Sequence, residues 1–131
     1  MSDQKTLHLV LKRKWFDMIE SGEKKEEYRE IYKPDGSLNW WFIRRVAIEY
    51  HPVHQYDDGE DFELKDKNGK WRYFTWKPFT YQRFDNGMSK ACPRLICYFG
   101  GISIGTGNPE WGAVPGKEYF CIHISNPRRT R

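Results

Sequence analysis

The chain has 131 residues, enough to bury one ordinary core and not two. Six tryptophans, eight tyrosines and eight phenylalanines supply that core despite a polar average, and so many tryptophans leave some for a recognition surface. With 22 basic and 18 acidic residues the net charge is +4, which excludes a polybasic arm but permits an acidic or nucleic-acid partner.

The first residues, MSDQK, hold no apolar signal core and no later run approaches a membrane span, so a cytoplasmic chain with no membrane partner is expected. Leu7, Leu9 and Leu11 alternate with His8, Val10 and Lys12, which predicts a strand. The period then changes. Trp15, Met18 and Ile19 fall at i, i+3 and i+4, predicting a helix over 14–21. Gly22 stands where a left-handed helix stop is cheapest. Read as a strand, residues 27–32 put Glu27, Arg29 and Ile31 on one face and Tyr28, Glu30 and Tyr32 on the other, with Lys24 in the turn before. The alternative is one helix over 14–32 with a glycine inside it, at a cost of about 1 kcal/mol.

Lys33-Pro34-Asp35-Gly36 reads as a turn, and Trp40 to Glu49 as a helical turn followed by a strand, with Arg44 and Arg45 in its middle. Residues 50–60 read as loop. His51 and His54 lie there three apart, but Pro52 argues against a helix aligning them on a metal. Phe62 and Leu64, then Asn68-Gly69, then Trp71 and Tyr73 predict a hairpin with a type I′ turn, ended by Pro78. Asp85-Asn86-Gly87 is another turn. Leu95 to Ile104 is a strand broken by a bulge or bend at Gly100-Gly101. Residues 105–117 form a Gly/Pro loop carrying Trp111, Tyr119 to Ile124 a buried strand, and 126–131 a mobile basic tail. The sum is about six or seven strands with one or two short helices, an α+β chain in a single domain whose natural architecture is a small mixed β-barrel or curled sheet.

Cys92, Cys97 and Cys121 are odd in number and form no C-x-x-C pair, so reduced thiols are expected, and no metal or other cofactor is. "GGISIGTGNPEWG" lacks the G-K-[ST] ending of a phosphate loop. His123 lies in an apolar strand, and no Ser-His-Asp arrangement can be asserted from spacing.

Lys24, Glu27 and Arg29 would converge on one concave surface. Three such groups are not buried cheaply unless they pair or bind something, so a cleft is implied. An Arg–carboxylate pair can be held rigidly there, leaving the lysine to meet a phosphate or a carbonyl. Lys14, Trp15 and Trp111 are the remaining candidates for a ligand surface, the indoles as stacking platforms.

Gly22-x-Lys24-x-x-Glu27-x-Arg29 resembles the G-x-K-x-x-E-x-R signature of the ASCH domain family, in the PUA-like superfamily. The alternating strand and short helix before it fit, and residues 79–125 resemble the C-terminal half of bacterial and phage members. The likeness covers about 5–34 and 79–125, with 35–78 as a family-variable insertion carrying the hairpin. The resemblance implies a PUA-like β-barrel of single-domain type with a cleft at the motif and an RNA or nucleotide-like ligand. Lys24, Glu27 and Arg29 would line the cleft, and Gly22 would let the turn approach closely. Some relatives are enzymes: a small branch deacylates N4-acetylcytidine with a threonine nucleophile and a lysine in the motif, and another member is described as a metal-dependent ribonuclease. Lys24 matches that lysine, but Glu27 occupies the threonine's position. If the chain is an enzyme, Lys24 and Glu27 are the catalytic candidates. A third reading is a protein-interaction module of a phage or mobile element, its tryptophans covering a partner. The oligomeric state is not legible.

Overall fold

The N-terminal leucines do form a strand. β1 (Thr6–Val10) buries Leu7 and Leu9 in the computed structural model, which describes residues 5–52 and 61–131. His54 and most of the loop expected over 50–60 lie outside those residues, as does the start of the chain. The chain divides into two compact units, residues 1–29 with 79–131, and residues 30–78.

In the first unit α1 (Arg13–Glu20) follows β1, and β2 (Glu26–Glu30) follows the glycine stop, so the single-helix alternative for 14–32 does not occur. The buried stripe of α1 centres on Phe16 and Ile19, with Trp15 and Met18 at its margins. That places the Trp15 indole at the edge of the core rather than in it. β6 (Tyr81–Asp85) pairs parallel with β1 and antiparallel with β7 (Arg94–Tyr98). β8 (Ile102–Thr106) and β9 (Glu118–His123) pair antiparallel, and β2 completes their sheet in the order β2-β9-β8. The apolar run 95–104 is therefore two strands in different sheets, and Gly100-Gly101 is the corner between them. Phe84, Leu95, Phe120 and Ile122 are fully buried, and the thiols of Cys92, Cys97 and Cys121 are free and buried.

The tail corrects one expectation. β10 (Arg128–Arg129) pairs antiparallel with β7, and Arg94 N donates to Arg131 O at 2.8 Å. Residues 128 and 129 are thus an edge strand, giving the four-stranded order β1-β6-β7-β10.

In the second unit α2 (Trp40–Val46) is capped by Asn39, whose side chain accepts from Phe42 N at 3.4 Å. It buries Phe42, Ile43 and Val46. β3 (Ala47–Tyr50), β4 (Phe62–Lys65) and β5 (Trp71–Trp76) form an antiparallel sheet in the order β3-β5-β4. Phe74 is fully buried and stacks on Phe62 at 5.0 Å. The expected type I′ turn does not form, because it needs positive φ at two residues and only Gly69 (φ 81°) takes it. Asp66 instead accepts the backbone N–H groups of Asn68 and Lys70, each at 2.9 Å, across a loop closed by that glycine.

Among the described residues there are ten strands in three sheets, none closed on itself, with two short α-helices. The class is α+β with more and shorter strands than the six or seven expected. No helix there is long and apolar enough to cross a membrane.

Candidate functional site

Gly22 takes φ 86°, and its N–H donates to Ile19 O at 3.1 Å, stopping α1. A Cβ added there would meet nothing within 4 Å. The glycine is thus needed for its left-handed backbone and not, as the resemblance implied, for a close approach. Lys24 N then donates to Met18 O at 2.9 Å, which turns the chain into β2.

The Lys24 ammonium is not presented at the mouth of a cleft. Its side chain is 1% exposed, and its Nζ donates to Trp111 O at 2.6 Å and lies 3.3 Å from Glu27 Oε1. The same ammonium sits 4.8 Å from the ring centroids of Trp15 and Tyr28. Burial lowers its pKa, and the Glu27 carboxylate opposes that shift. Lys24 is therefore a buried strut tying the start of β2 to the loop that carries Trp111.

Glu27 and Arg29 do share a face, as the strand period requires. Arg29 Nη2 donates to Glu27 Oε2 at 3.0 Å and to Val10 O at 3.1 Å. The arginine is thereby held against both β2 and the end of β1. Its buried Nε has no acceptor among the described residues.

Above this pair lies a cleft of about 260 Å³. Trp15, Tyr28 and Trp111 supply its aromatic walls, and Lys12, Glu27 and Arg29 its charged groups. Lys14 does not line it. That lysine is exposed, with its Nζ 4.8 Å from the Trp15 centroid. Trp15 is seated on Gly112 (φ 103°), where an added Cβ would meet the indole Cζ2 at 2.9 Å. The loop is fixed from the other side, where Tyr28 Oη accepts the Asn108 N–H at 2.9 Å and donates to Glu26 Oε1 at 2.8 Å. Burial raises the Tyr28 pKa, with the Glu26 hydrogen bond acting in the same direction and the Asn108 N–H against it.

Sequence reasoning missed Lys12 and Tyr28. Lys12 has a visible signal, since it ends the leucine alternation. Tyr28 was assigned to the face opposite Glu27, and only the Gly/Pro loop brings it to the cleft. A third group was also missed. Ser103 Oγ lies 2.8 Å from His123 Nε2, and His123 Nδ1 lies 3.1 Å from Glu26 Oε2. These residues come from β8, β9 and β2, so no spacing along the chain could show them. With the imidazole proton on Nδ1, Glu26 orients the ring and Nε2 accepts from the serine, which is the geometry of a nucleophile, base and orienter. None of the three lines the aromatic cleft. Among the described residues no three His, Cys, Asp or Glu side chains are grouped to hold a metal ion.

Comparison with protein-family models, with curated proteins and with solved structures finds no match for this chain.

Proposed function

We propose that the protein is a cytoplasmic, single-domain ASCH/PUA-like reader of unpaired RNA, or of a nucleotide-like ligand, with the aromatic cleft as its base-binding site. Residues 35–78 are then a family-variable insertion on a small PUA-like barrel. The observation that carries the reading is the meeting of Trp15, Tyr28 and Trp111 with Lys12 and the rigid Glu27–Arg29 pair in one cleft. Aromatic faces stack any base, at about 1–3 kcal/mol per base. The volume, about 260 Å³, lies below the roughly 300–1,000 Å³ of pockets for drug-sized ligands, which suits one ring system. Arg29 and Lys12 meet carbonyl or phosphate oxygens, and Glu27 orients Arg29 or accepts a base N–H. Lys24 acts beneath them by holding the Trp111 loop.

The test is a titration of labelled single-stranded RNA at low salt, followed by fluorescence anisotropy. Trp111→Ala keeps the backbone carbonyl that Lys24 uses and removes only the indole. The expected loss is about 5- to 150-fold in affinity, the stacking range above converted at 1.4 kcal/mol per decade. No binding by the wild-type protein, or wild-type affinity in both Trp15→Ala and Trp111→Ala, refutes the reading.

A second reading, a hydrolase acting on RNA or a modified nucleoside, is favoured by the Ser103–His123–Glu26 contacts rather than by the motif. Glu27 stands where the deacylating branch has threonine, and it is buried against Arg29 and Lys24. On an acylated nucleoside Ser103 Oγ would attack the acyl carbon, passing its proton through His123 Nε2 to the leaving amine, and a water deprotonated by the same Nε2 would then cleave the acyl-serine, releasing the acid and restoring the serine. Labelling by a fluorophosphonate that is lost in both Ser103→Ala and His123→Ala supports this reading. An unlabelled wild-type protein removes it.

A further inference from the structure

A second concavity of about 370 Å³ opens beside the cleft, between β1, β6, β7 and the turn after β6. Arg83, Lys90, Arg94 and Arg131 line it with His8, and Asp85 is its one side-chain carboxylate. With the histidine neutral, the side-chain charge around this space is +3. Asp85 is 3% exposed and organises the cations. Its oxygens accept from Arg94 Nε at 2.8 Å and Nη2 at 3.1 Å, and from Arg83 Nη2 at 2.8 Å, while His8 Nε2 lies 3.0 Å away. Arg131 is fixed separately, its Nε donating to Cys92 O at 2.9 Å. A guanidinium carries five N–H donors. Asp85 engages Nε and one Nη of Arg83 and of Arg94, so each keeps donors for another acceptor. One buried carboxylate therefore holds two guanidinium groups in place without neutralising the site. Fixed, under-compensated arginine forks are what a phosphate's planar sets of oxygens match.

Val10, 40% exposed, lines both this basic hollow and the aromatic cleft, and its carbonyl is held by Arg29. The two concavities thus meet at one residue. We propose that the hollow of Arg83, Lys90, Arg94 and Arg131 binds a backbone phosphate of a single RNA strand whose neighbouring base occupies the aromatic cleft, the strand crossing at Val10. This rests on the base-reading function proposed above and adds the second contact that turns a base pocket into a strand-binding track.

The experiment measures affinity for a labelled single-stranded RNA over a range of salt concentrations, in wild type, Lys90→Glu, Arg131→Gln and Trp111→Ala. Lys90 is an exposed turn residue, so its replacement leaves the fold intact. Each phosphate contact on a single strand contributes about 0.7 to the slope of log affinity against log salt. Lys90→Glu and Arg131→Gln are expected to flatten the slope by up to about 0.7, with up to about fivefold weaker binding at 0.1 M salt. Trp111→Ala is expected to weaken binding and leave the slope unchanged. Binding with wild-type slope and affinity in both basic-hollow variants overturns the phosphate site and leaves the base-reading cleft standing. Wild-type protein that binds no RNA at low salt overturns both.

Discussion

Lys24 shows how far a side chain's role can lie from the role its motif suggests. A lysine whose ammonium is held by a backbone carbonyl and a carboxylate, against two aromatic rings, works as a fastening. Lys24→Met removes the ammonium and leaves Trp111 O and the buried Glu27 short of a partner. Arg29 still pairs with Glu27, so the cost stays below the about 3–5 kcal/mol of a buried charge left alone, but the urea midpoint should fall. Wild-type stability with only ligand affinity reduced would instead make Lys24 a direct contact. The glycines offer a graded comparison. Gly22→Ala should cost about 1–2 kcal/mol, the penalty for a left-handed L-residue, since its Cβ meets open space. Gly112→Ala adds a collision with Trp15 to the same backbone penalty, so it should be the more destabilising of the two and should also weaken RNA binding. Equal stability losses with unchanged affinity would show that the Trp15 seat is immaterial. The pairing of Glu27 with Arg29 was legible in the sequence because a strand repeats every two residues. The burial of Lys24 was not, because its partner, Trp111, lies 87 residues further on.

At the scale of elements, the readable pieces were those whose pattern is local. β1, α1, the β4–β5 hairpin and β9 each carry an alternation, a helical stripe or a turn dipeptide. β6 was invisible because its interior positions include Gln82 and Asp85, polar residues that break the apolar alternation. Both are buried against specific partners, Gln82 Nε2 donating to Leu7 O at 2.7 Å and Asp85 meeting its arginines. β10 was read as a tail because a two-residue basic strand has no apolar signal of its own. Its order comes from β7, through the pairing of Arg128 with Ile96 and of Arg129 with Leu95. Truncation after Ser125 should therefore expose the edge of β7. The Arg94 amide, which donates to Arg131 O in the intact chain, should lose its hydrogen-exchange protection, while the β6 side of β7 keeps its own. An Arg94 amide that exchanges equally fast in both forms would show that β10 frays freely.

For the molecule as a whole, the response to acid follows from carboxylates that both units hold low, Asp85 in the first and Glu49, Asp66 and the exposed Asp35 in the second. Burial works to raise the pKa of Asp85, but hydrogen bonds from Arg94 and Arg83 outweigh it and hold the carboxyl well below the ordinary value. In residues 30–78 the Arg72 hydrogen bond holds Glu49 low in the same sense, at 2.6 Å from Arg72 Nε. A carboxylate depressed in the folded state contributes stability that is fully present above its unfolded pKa. That contribution is lost as pH falls through the folded value. The unfolded values are about 3.9 for Asp and 4.3 for Glu, so the loss should begin as pH drops below about 5 and deepen below 4. Urea midpoints measured from pH 7 downward should fall over that window. Asp85→Asn should already be less stable at pH 7, because it leaves Arg83 and Arg94 without their shared counter-charge, and its midpoint should fall less steeply below pH 4. Glu49→Gln should flatten only the contribution that residue makes. A wild-type midpoint independent of pH between 5 and 3 would mean that neither pair is bound more tightly in the folded protein than in the unfolded chain.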